Sequence, residues 1–313
     1  MKIVQIETLI DASHFSRSDS WMGSTEMMIF LWISIVVIIL VYSLDQLIER
    51  MYRYEKKKHH STPEKYQIPF DEVRIPASGN AYLYGWWIPA SPGAPTLVLV
   101  HGWGRNLNRM MLYIQKLHPM GYNLLAFDAR NHGSSSPVKH PSVITFSEDT
   151  LAAVDFVAKI GLTSSHSIGV IGLSVGGGAA INAACGDQRI KSVITVGAIS
   201  HPVEVMNFEF QKRRVPAFVA RILLTYMRFR FRLNFDKIAP VNNISNAEAE
   251  IFLIHGDDDK TVPLEQGQAL KAAGKKEKMH LWIVPGKGHS DCDTHPQFWD
   301  QVSAFLHRTL PIS

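Results

Sequence analysis

Short apolar stretches recur along the chain from residue 70 onward, and each has the length of one β-strand. FDEVRI (70–75) and AYLYGWWI (81–88) predict an antiparallel pair, and TLVLV (96–100) predicts a strand buried on both faces. Five further segments of this kind follow, namely YNLLAF, SIGVIG, SVITV, IFLI and HLWIV. Helical patterns lie between them, so we expect an α/β fold with a mostly parallel central sheet and flanking helices.

Two of the intervening helices have recognisable start signals. Thr145 and Glu148 have the spacing of a capping box, which predicts that a helix begins there, continues through TLAAVDFVAKI and ends at Gly161. The segment SVGGGAAINAAC predicts a second helix that begins at Ser174. Strands that alternate with helices in this way carry their functional groups at the carboxyl ends of the strands.

A continuous apolar segment, MMIFLWISIVVIILVYSL (27–44), precedes all of these elements and contains no charged residue. Its length predicts a transmembrane helix. The alternative is a cleaved signal peptide, for which Val41 and Ser43 would form a poor cleavage site. Asp19 and Glu26 precede the segment where a signal peptide would carry positive charge.

Basic residues are unevenly distributed around this apolar segment. Two precede it and five follow it closely: Lys2 and Arg17 before, and Arg50, Arg53, Lys56, Lys57 and Lys58 after. The positive-inside rule therefore predicts a single-pass membrane protein whose long C-terminal part is cytoplasmic. The two cysteines of the chain are compatible with that reducing compartment.

The chain has 313 residues, of which 46% are hydrophobic and 19% charged, and its formal net charge is +4. This length suits one large domain and an appendage, and the modest charge does not indicate a nucleic-acid partner. We divide the chain into a tail (1–26), a transmembrane helix (27–44), a charged linker (45–65) and a folded domain (66–313). The paired His59 and His60 of the linker are expected to be exposed spacer residues rather than metal ligands.

The segment VIGLSVGGGAA (170–180) contains the pattern G-x-S-x-G from Gly172 to Gly176. This pattern is typical of a sharp strand-to-helix turn that exposes a nucleophilic serine, here Ser174. A phosphate-binding loop is the alternative, but no lysine follows as a P-loop requires. Ser174 also occupies the position of the second glycine in a dinucleotide-binding fingerprint, which disfavours that site.

A serine needs a histidine base and an acid, and both follow later strands. HGDDDKTVP comes after IFLI, and PGKGHSDC comes after HLWIV. The order Ser174, Asp259, His289 resembles that of the α/β-hydrolase family, in its serine-hydrolase branch near lysophospholipase-like and serine-aminopeptidase-like members. The resemblance covers about residues 66 to 310. It implies an acyl-enzyme mechanism in which Ser174 attacks, His289 transfers the proton and Asp259 orients His289.

The same resemblance assigns further positions. The pattern H-G-x-x-D-x-x-V-P selects Asp259 and leaves Asp257 and Asp258 as loop acids. HGWGRN resembles the family's oxyanion loop and implies the backbone amides of Trp103 and Val175 as oxyanion donors. FDARNHGSS resembles a segment in which three residues have structural roles, here Asp128, Arg130 and Gly133.

Other residues near His289 offer competing interpretations. His280 is a weaker candidate for the base, and His295 is expected to cap the last helix. A metal site is the other interpretation of this stretch, with ligands drawn from His289, Asp291, Cys292, Asp293 and His295. The order of the three proposed catalytic residues favours a hydrolase that needs neither a metal nor a cofactor.

More than fifty residues between SVITV and IFLI lack a strand pattern, and we interpret residues 201–245 as a helical cap inserted over a pocket. Residues 201–243 carry eight lysines and arginines against three acids, an excess of 8 − 3 = 5. One hypothesis is that this basic face approaches the anionic inner leaflet and takes acyl lipids from it. The alternative is a solvated face whose arginine stems cover apolar core.

We therefore expect a membrane-anchored serine hydrolase that cleaves an acyl ester or a lipid, including lysophospholipids. A serine peptidase or aminopeptidase of the same fold is the nearest alternative, although recognition of a free amine would require acidic residues in the cap. A non-catalytic, tethered binding module is a further alternative, because a fold alone does not determine function. The identity of the acyl chain and the oligomeric state do not follow from the sequence.

Overall fold

The computed structural model of the protein describes residues 24–52, 55–160 and 168–312. The chain divides into two units, Met1–Arg50 and Met51–Ser313. Helix α1 (Ser24–Tyr52) is longer than the predicted span of 27–44. An 18-residue window of its stretch Thr25–Tyr52 has a mean hydropathy of 2.7, so the helix is long and apolar enough to cross a membrane, as either an anchor or a signal sequence would be.

The second unit is built on one eight-stranded sheet with the order β1-β2-β4-β3-β5-β6-β7-β8. The first two strands pair antiparallel, β2 pairs antiparallel with β4, and every other neighbouring pair is parallel. The expected mostly parallel sheet is therefore confirmed. The strands are β1 Asp71–Ala77, β2 Ala81–Ile88, β3 Thr96–Val100, β4 Asn123–Phe127, β5 Ile168–Leu173, β6 Ile190–Val196, β7 Glu250–Gly256 and β8 Met279–Val284.

Helices cover both faces of this sheet. Because side chains alternate along a strand, Val98 and Val100 of β3 join the core on one face, while Leu97 and Leu99 join the core on the other. The fully apolar central strands are thus buried on both sides, as in other parallel sheets. The helices are α2 Met111–Leu117, α3 Val143–Ile160, α4 Val175–Gly186, α5 Pro202–Lys212, α6 Ala217–Arg230, α7 Phe235–Ile238, α8 Pro240–Asn243, α9 Leu264–Ala273 and α10 Phe298–Thr309.

The predicted start of α3 is wrong. The helix begins at Val143, and Thr145 and Glu148 lie inside it. The Thr145 hydroxyl accepts a hydrogen bond from the amide of Ser142 (3.2 Å), and Glu148 forms an ion pair with Arg130. Gly161, the predicted end of the helix, lies outside the described residues.

The interval between β6 and β7 is helical, as expected, and contains α5 to α8. His201 caps α5, since its Nδ1 accepts a hydrogen bond from the amide of Val203 at 3.2 Å. Helix α6 packs inward through Ala220, Leu223, Leu224 and Met227, which are buried. We keep the name cap for residues 201–245.

The linker does not behave as a solvated spacer along its whole length. The Asn106 side-chain amide donates to the carbonyls of Lys57 (2.9 Å) and Lys58 (3.2 Å), so this segment packs on the folded unit. His60 is exposed, but Nε2 of His59 lies 2.7 Å from Oδ2 of Asp128. The expectation that both histidines are exposed is therefore wrong for His59, because a buried carboxylate provides a partner that linker composition does not predict.

Candidate active site

Ser174 is the single residue between the end of β5 and the start of α4, and it has φ of 56° and ψ of −121°. A positive φ is unfavourable for a residue with a side chain, so the surrounding contacts must hold this turn in place. The amide of Ser174 donates to the carbonyl of Val196 (2.9 Å), and the carbonyl of Ser174 accepts from the amides of Gly177 (2.9 Å) and Gly178 (3.2 Å). This is the sharp strand-to-helix turn that the G-x-S-x-G pattern predicts.

Glycines let the segment after β3 approach this turn closely. A Cβ atom on Gly176 would lie 2.5 Å from the carbonyl oxygen of His101, a distance that no real side chain tolerates. A Cβ atom on Gly102 would lie 3.2 Å from Cβ of Ser174. Trp103 directly follows Gly102, and Val175 directly follows Ser174, so the two candidate oxyanion amides belong to segments in contact. The Val175 amide is also the first of α4, where amides have no acceptor within the helix.

Asp259 and His289 are joined by a short hydrogen bond of 2.7 Å between Oδ2 and Nδ1. The other carboxylate oxygen of Asp259 accepts from the amides of Thr261 and Val262, both at 2.8 Å. Burial raises the pKa of Asp259, but the hydrogen bonds from His289 and from these two amides outweigh burial and hold the pKa below its ordinary value. Asp259 is therefore an ionised acceptor that fixes the orientation of the imidazole.

Gly197 brings this pair next to the serine turn. It follows Val196, whose carbonyl receives the Ser174 amide, and it has φ of 60°. A Cβ atom there would lie 3.0 Å from Nδ1 of His289 and 3.3 Å from Oδ2 of Asp259. Among the described residues, no hydrogen bond joins the Ser174 hydroxyl to His289. Such contacts are often long in free enzymes and shorten when substrate binds.

The neighbouring acids of the loop have other partners. Oδ1 of Asp257 accepts from the amide of Gly286 (2.7 Å), and Asp258 forms an exposed ion pair with Lys260 (2.5 Å). Of the three consecutive aspartates, Asp259 is the one that contacts His289.

The competing histidines lie in different surroundings. His280 contacts Glu250 (3.5 Å) and Arg308 (3.0 Å) at the surface. Nδ1 of His295 accepts from the amide of Gln297 (3.3 Å), just before α10, while its ring packs edge-on against Trp282. Neither side chain is hydrogen-bonded to an acid of the Asp257–Asp259 loop.

The residues of the alternative metal site contact different partners and do not converge on one point. Asp291 accepts from the amide of Gly288 (2.7 Å), and Asp293 pairs with Arg109 (3.0 Å). Cys292 is buried, and burial raises the pKa of its thiol to about 12, which disfavours the thiolate that a metal needs. Within residues 24–52, 55–160 and 168–312, no three histidine, cysteine or acidic side chains are grouped to hold a metal ion.

Three buried histidines support the site, and of these the sequence analysis placed only His101, as the first residue of the expected oxyanion loop HGWGRN. His101 accepts from the amide of Ala129 at Nε2 (3.0 Å) and donates from Nδ1 to the carbonyl of Gly102 (2.7 Å). His132 accepts from the amide of Gly104 at Nε2 (3.1 Å). Burial lowers the pKa of both, to about 3 for His132, so both remain neutral and hold the loop that contains Trp103.

The third buried histidine, His255, lies behind Asp259. Its Nε2 donates to the carbonyl of Val262 (2.8 Å) and lies 3.6 Å from Oδ2 of Asp259. Burial lowers its pKa, so it is neutral and supports the acid loop without adding a charge. The sequence marks two of these buried histidines in the same way, since His101 and His255 each directly follow an apolar run and precede a glycine.

Asp128 connects the loop that contains Trp103 to the linker. Its carboxylate accepts from the amides of Leu107 and Ser134, both at 2.8 Å, and from His59. The ring of His59 also stacks on Tyr84, with 5.1 Å between ring centroids. Burial raises the pKa of Asp128, but the hydrogen bonds from His59 and from the amide of Leu107 outweigh burial and lower the pKa.

Replacing His59 with alanine is expected to make the folded chain less resistant to acid. A carboxyl group whose pKa is lowered by folding stabilises the fold above its unfolded pKa, and this stabilisation is lost as the pH falls through the folded value. Without His59 the pKa of Asp128 rises, so the loss begins at a higher pH. Near neutral pH we expect a cost of about 1 to 3 kcal/mol in unfolding free energy.

Acid unfolding of the full chain in detergent, followed by tryptophan fluorescence, measures this shift. The matched control is His60→Ala, whose side chain is exposed and whose unfolding curve should coincide with that of the unmodified chain. If His59→Ala and His60→Ala unfold at the same pH, the hydrogen bond to Asp128 contributes nothing to acid resistance.

Comparisons with known proteins agree with this architecture. The sequence model of the α/β-hydrolase family matches residues 97–302. The uncharacterized protein YfhR of Salmonella typhimurium is 23% identical over 268 residues, which cover 82% of this chain and 86% of that protein.

Two solved structures share the fold. The Pyrococcus furiosus esterase Pf2001 superposes with a TM-score of 0.66 at 23% identity, covering 82% of this chain and 97% of that one. A puromycin-hydrolyzing peptidase of Mycobacterium tuberculosis superposes with a TM-score of 0.64 at 16% identity, covering 79% of this chain and 40% of that one. At these identities the likeness to the two structures establishes the fold alone. Since the family match spans most of the sheet and all three candidate side chains, the chain belongs to the α/β-hydrolase family.

Proposed function

We propose that this protein is a membrane-anchored serine hydrolase that cleaves acyl esters through an acyl-enzyme. Membership of the α/β-hydrolase family supports hydrolase chemistry in general. The observation that carries the more specific proposal is the turn at Ser174, because its amide binds the carbonyl of Val196 and the next residue, Gly197, lies against the hydrogen-bonded His289 and Asp259.

The proposed reaction uses these side chains in two steps. His289, with Nδ1–H donating to Asp259, has Nε2 available to take the proton of the Ser174 hydroxyl as its oxygen attacks the ester carbonyl. The protonated ring then gives this proton to the departing alcohol oxygen, which leaves an acyl group on Ser174. Water attacks the acyl-enzyme with His289 again acting as base, and the acid leaves while the serine regains its proton.

The amides of Trp103 and Val175 are proposed to stabilise the oxyanion of both tetrahedral intermediates. Backbone amides are suited to this task because they are fixed before the reaction and need no reorganisation. The bonds that His101 and His132 make with neighbouring backbone hold the first of these segments in place.

The acids of the cap favour an ester over a peptide with a free amino group. Glu204 accepts from the Gln266 side chain (2.5 Å), Glu209 pairs with Lys212 (2.6 Å), and Asp236 pairs with Arg228 (3.8 Å). A substrate amine would have to displace one of these partners. The excess of basic residues in the cap instead suits an acyl substrate with an anionic group, such as a lysophospholipid.

The anchor in this proposal is helix α1. No residue of its apolar window is buried, and the basic residues that follow it support a cytoplasmic hydrolase unit. A covalently attached anchor would keep the enzyme at a surface where acyl lipids are concentrated.

Hydrolysis rates on matched esters and amides test the proposed substrate class. For the full chain in detergent, we expect kcat/KM for acyl esters and lysophospholipids to exceed that for aminoacyl amides by about a hundredfold or more, since the cap lacks an uncommitted acid for the amine. Graded acyl chains in the same assay measure the length of the acyl pocket. Faster cleavage of aminoacyl amides than of any ester would identify the protein as a peptidase.

A further inference from the structure

Helix α6 presents an exposed apolar stripe to solvent. Phe218, Ile222 and Phe229 have 68%, 50% and 86% of their surface exposed. At 100° per residue these three positions lie within about 40° of one another around the helix. The buried residues of α6 lie on the opposite side, so the helix is already packed against the domain and the stripe is additional to that packing.

Basic side chains border the stripe. Arg221 and Arg228 are exposed and lie along one edge of it, and Arg214 and Arg232 flank the two ends of the helix. Arg228 is paired with Asp236 (3.8 Å), whereas Arg214, Arg221 and Arg232 have no carboxylate within ion-pair distance among the described residues. The face therefore combines aromatic side chains with uncompensated positive charge.

This combination matches one type of partner. Isolated apolar side chains on a surface are ordinary, but aromatic residues in a stripe with arginines at its edge are typical of helices that lie in a membrane interface. The rings enter the headgroup region, and the guanidinium groups bind lipid phosphates. The charge complements an anionic lipid surface and opposes binding to another basic cap of the same chain.

A groove beside α6 fits the same partner. It lies between α5 and α6, has a volume of about 680 Å³ and is lined in part by Arg221 and Arg228, which border the stripe. Its apolar lining includes Phe210, Leu224 and Phe235. An apolar floor with guanidinium groups at the rim is complementary to an amphiphile with an anionic head.

We propose that the outer face of α6 docks onto an anionic lipid surface, with Phe218, Ile222 and Phe229 in the headgroup region. Arg221 and Arg228 then lie at the lipid phosphates, and the groove opens toward the lipids. The inference rests on the membrane location in the proposed function, but not on the proposed chemistry. Docking would give the hydrolase unit a second membrane contact besides the covalent anchor.

The experiment places a fluorophore on α6 of the full chain in vesicles. Ile222→Cys and Phe229→Cys are labelled singly in a Cys185→Ala, Cys292→Ala background, and spin-labelled lipid is the quencher. The matched control is a label at Gln268, which is exposed on α9. We expect at least twofold stronger quenching at positions 222 and 229 than at 268 in vesicles of phosphatidylcholine with phosphatidylserine.

The dependence of docking on charge distinguishes binding to anionic lipid from nonspecific adsorption. Replacing Arg221 and Arg228 with glutamine should weaken docking by about fivefold per residue on anionic vesicles, whereas removing the same charge with Lys116→Gln and Lys276→Gln should not. Equal quenching at positions 229 and 268, or equal docking on phosphatidylcholine alone, overturns the proposal. A fluorescence change that rises with protein concentration in lipid-free micelles also overturns it, because it indicates a protein partner.

Two further measurements test docking without any substitution and separate it from the anchor and from catalysis. Hydrogen exchange of the unlabelled chain should show slower exchange in α6 on anionic vesicles than in micelles, which requires no substitution. Flotation of the chain with vesicles reports the anchor separately, and Ser174→Ala should dock as the unmodified chain does. Failure of the proposed chemistry therefore leaves the docking result interpretable.

Discussion

Replacing Ser174 with alanine will abolish covalent labelling by a fluorophosphonate probe and will lower the rate of ester hydrolysis by about a thousandfold to a millionfold. The hydroxyl is the group that forms the acyl-enzyme, and no other side chain on this turn can replace it. The backbone amides that would stabilise the oxyanion are unaffected, so substrate binding should change little. The measurements are probe labelling and kcat/KM for an acyl ester.

Alanine is a suitable replacement because it tolerates the same backbone geometry no worse than serine does. Ser290→Ala is the matched control, since Ser290 is an exposed serine adjacent to His289 and should be dispensable. Full labelling of Ser174→Ala would show that the probe reacts elsewhere, and the assignment of the nucleophile would then be wrong.

Replacing Asp259 with asparagine will lower kcat by about 10³- to 10⁴-fold while leaving the chain folded. The carboxylate accepts from Nδ1–H of His289 and so keeps Nε2 unprotonated and able to act as the base. Asparagine can donate its own N–H at this position, which favours the opposite tautomer and removes the base. The effect should fall on kcat rather than on KM, because Asp259 contacts His289 and not the substrate.

The two preceding aspartates provide internal controls for this experiment. Asp258→Asn removes only an exposed ion pair with Lys260, and such pairs contribute little to stability. Asp257→Asn removes a negative charge at the surface but keeps a carbonyl oxygen that can accept from the amide of Gly286. Either variant should keep at least about a third of the activity, as surface substitutions usually do. A loss in Asp258→Asn as large as in Asp259→Asn would contradict the assignment of the acid.

The strands and their mostly parallel arrangement could be predicted because they depend on local patterns. Each parallel strand is a short apolar run, and helical segments between such runs leave few alternative topologies. The turn at Ser174 has a local signature as well, since Gly176 permits the close contact with the His101 carbonyl and Gly172 permits the close contact with the carbonyl of Gly176. The catalytic roles of Ser174, Asp259 and His289 stay predictions.

Features that depend on distant contacts could not be predicted in this way. The linker is rich in charge and resembles a spacer, yet His59 reaches Asp128, sixty-nine positions further along the chain. The start of α3 was misplaced because Thr145 and Glu148 have capping-box spacing but other partners in the fold. His255 gives no signal of its position behind Asp259, because buried and exposed histidines look alike in a sequence.

The attachment of the linker also determines where a water-soluble version of the enzyme could begin. A chain truncated at residue 60 would lack the carbonyls of Lys57 and Lys58 that bind Asn106, together with the His59 ring that binds Asp128. Asn106 and Asp128 both support the loop that follows Trp103. Such a truncation would therefore disturb the candidate oxyanion loop although it removes no residue of the site. Its inactivity could be mistaken for a requirement for the bilayer, and a truncation that retains Lys56 to Ser61 avoids that error.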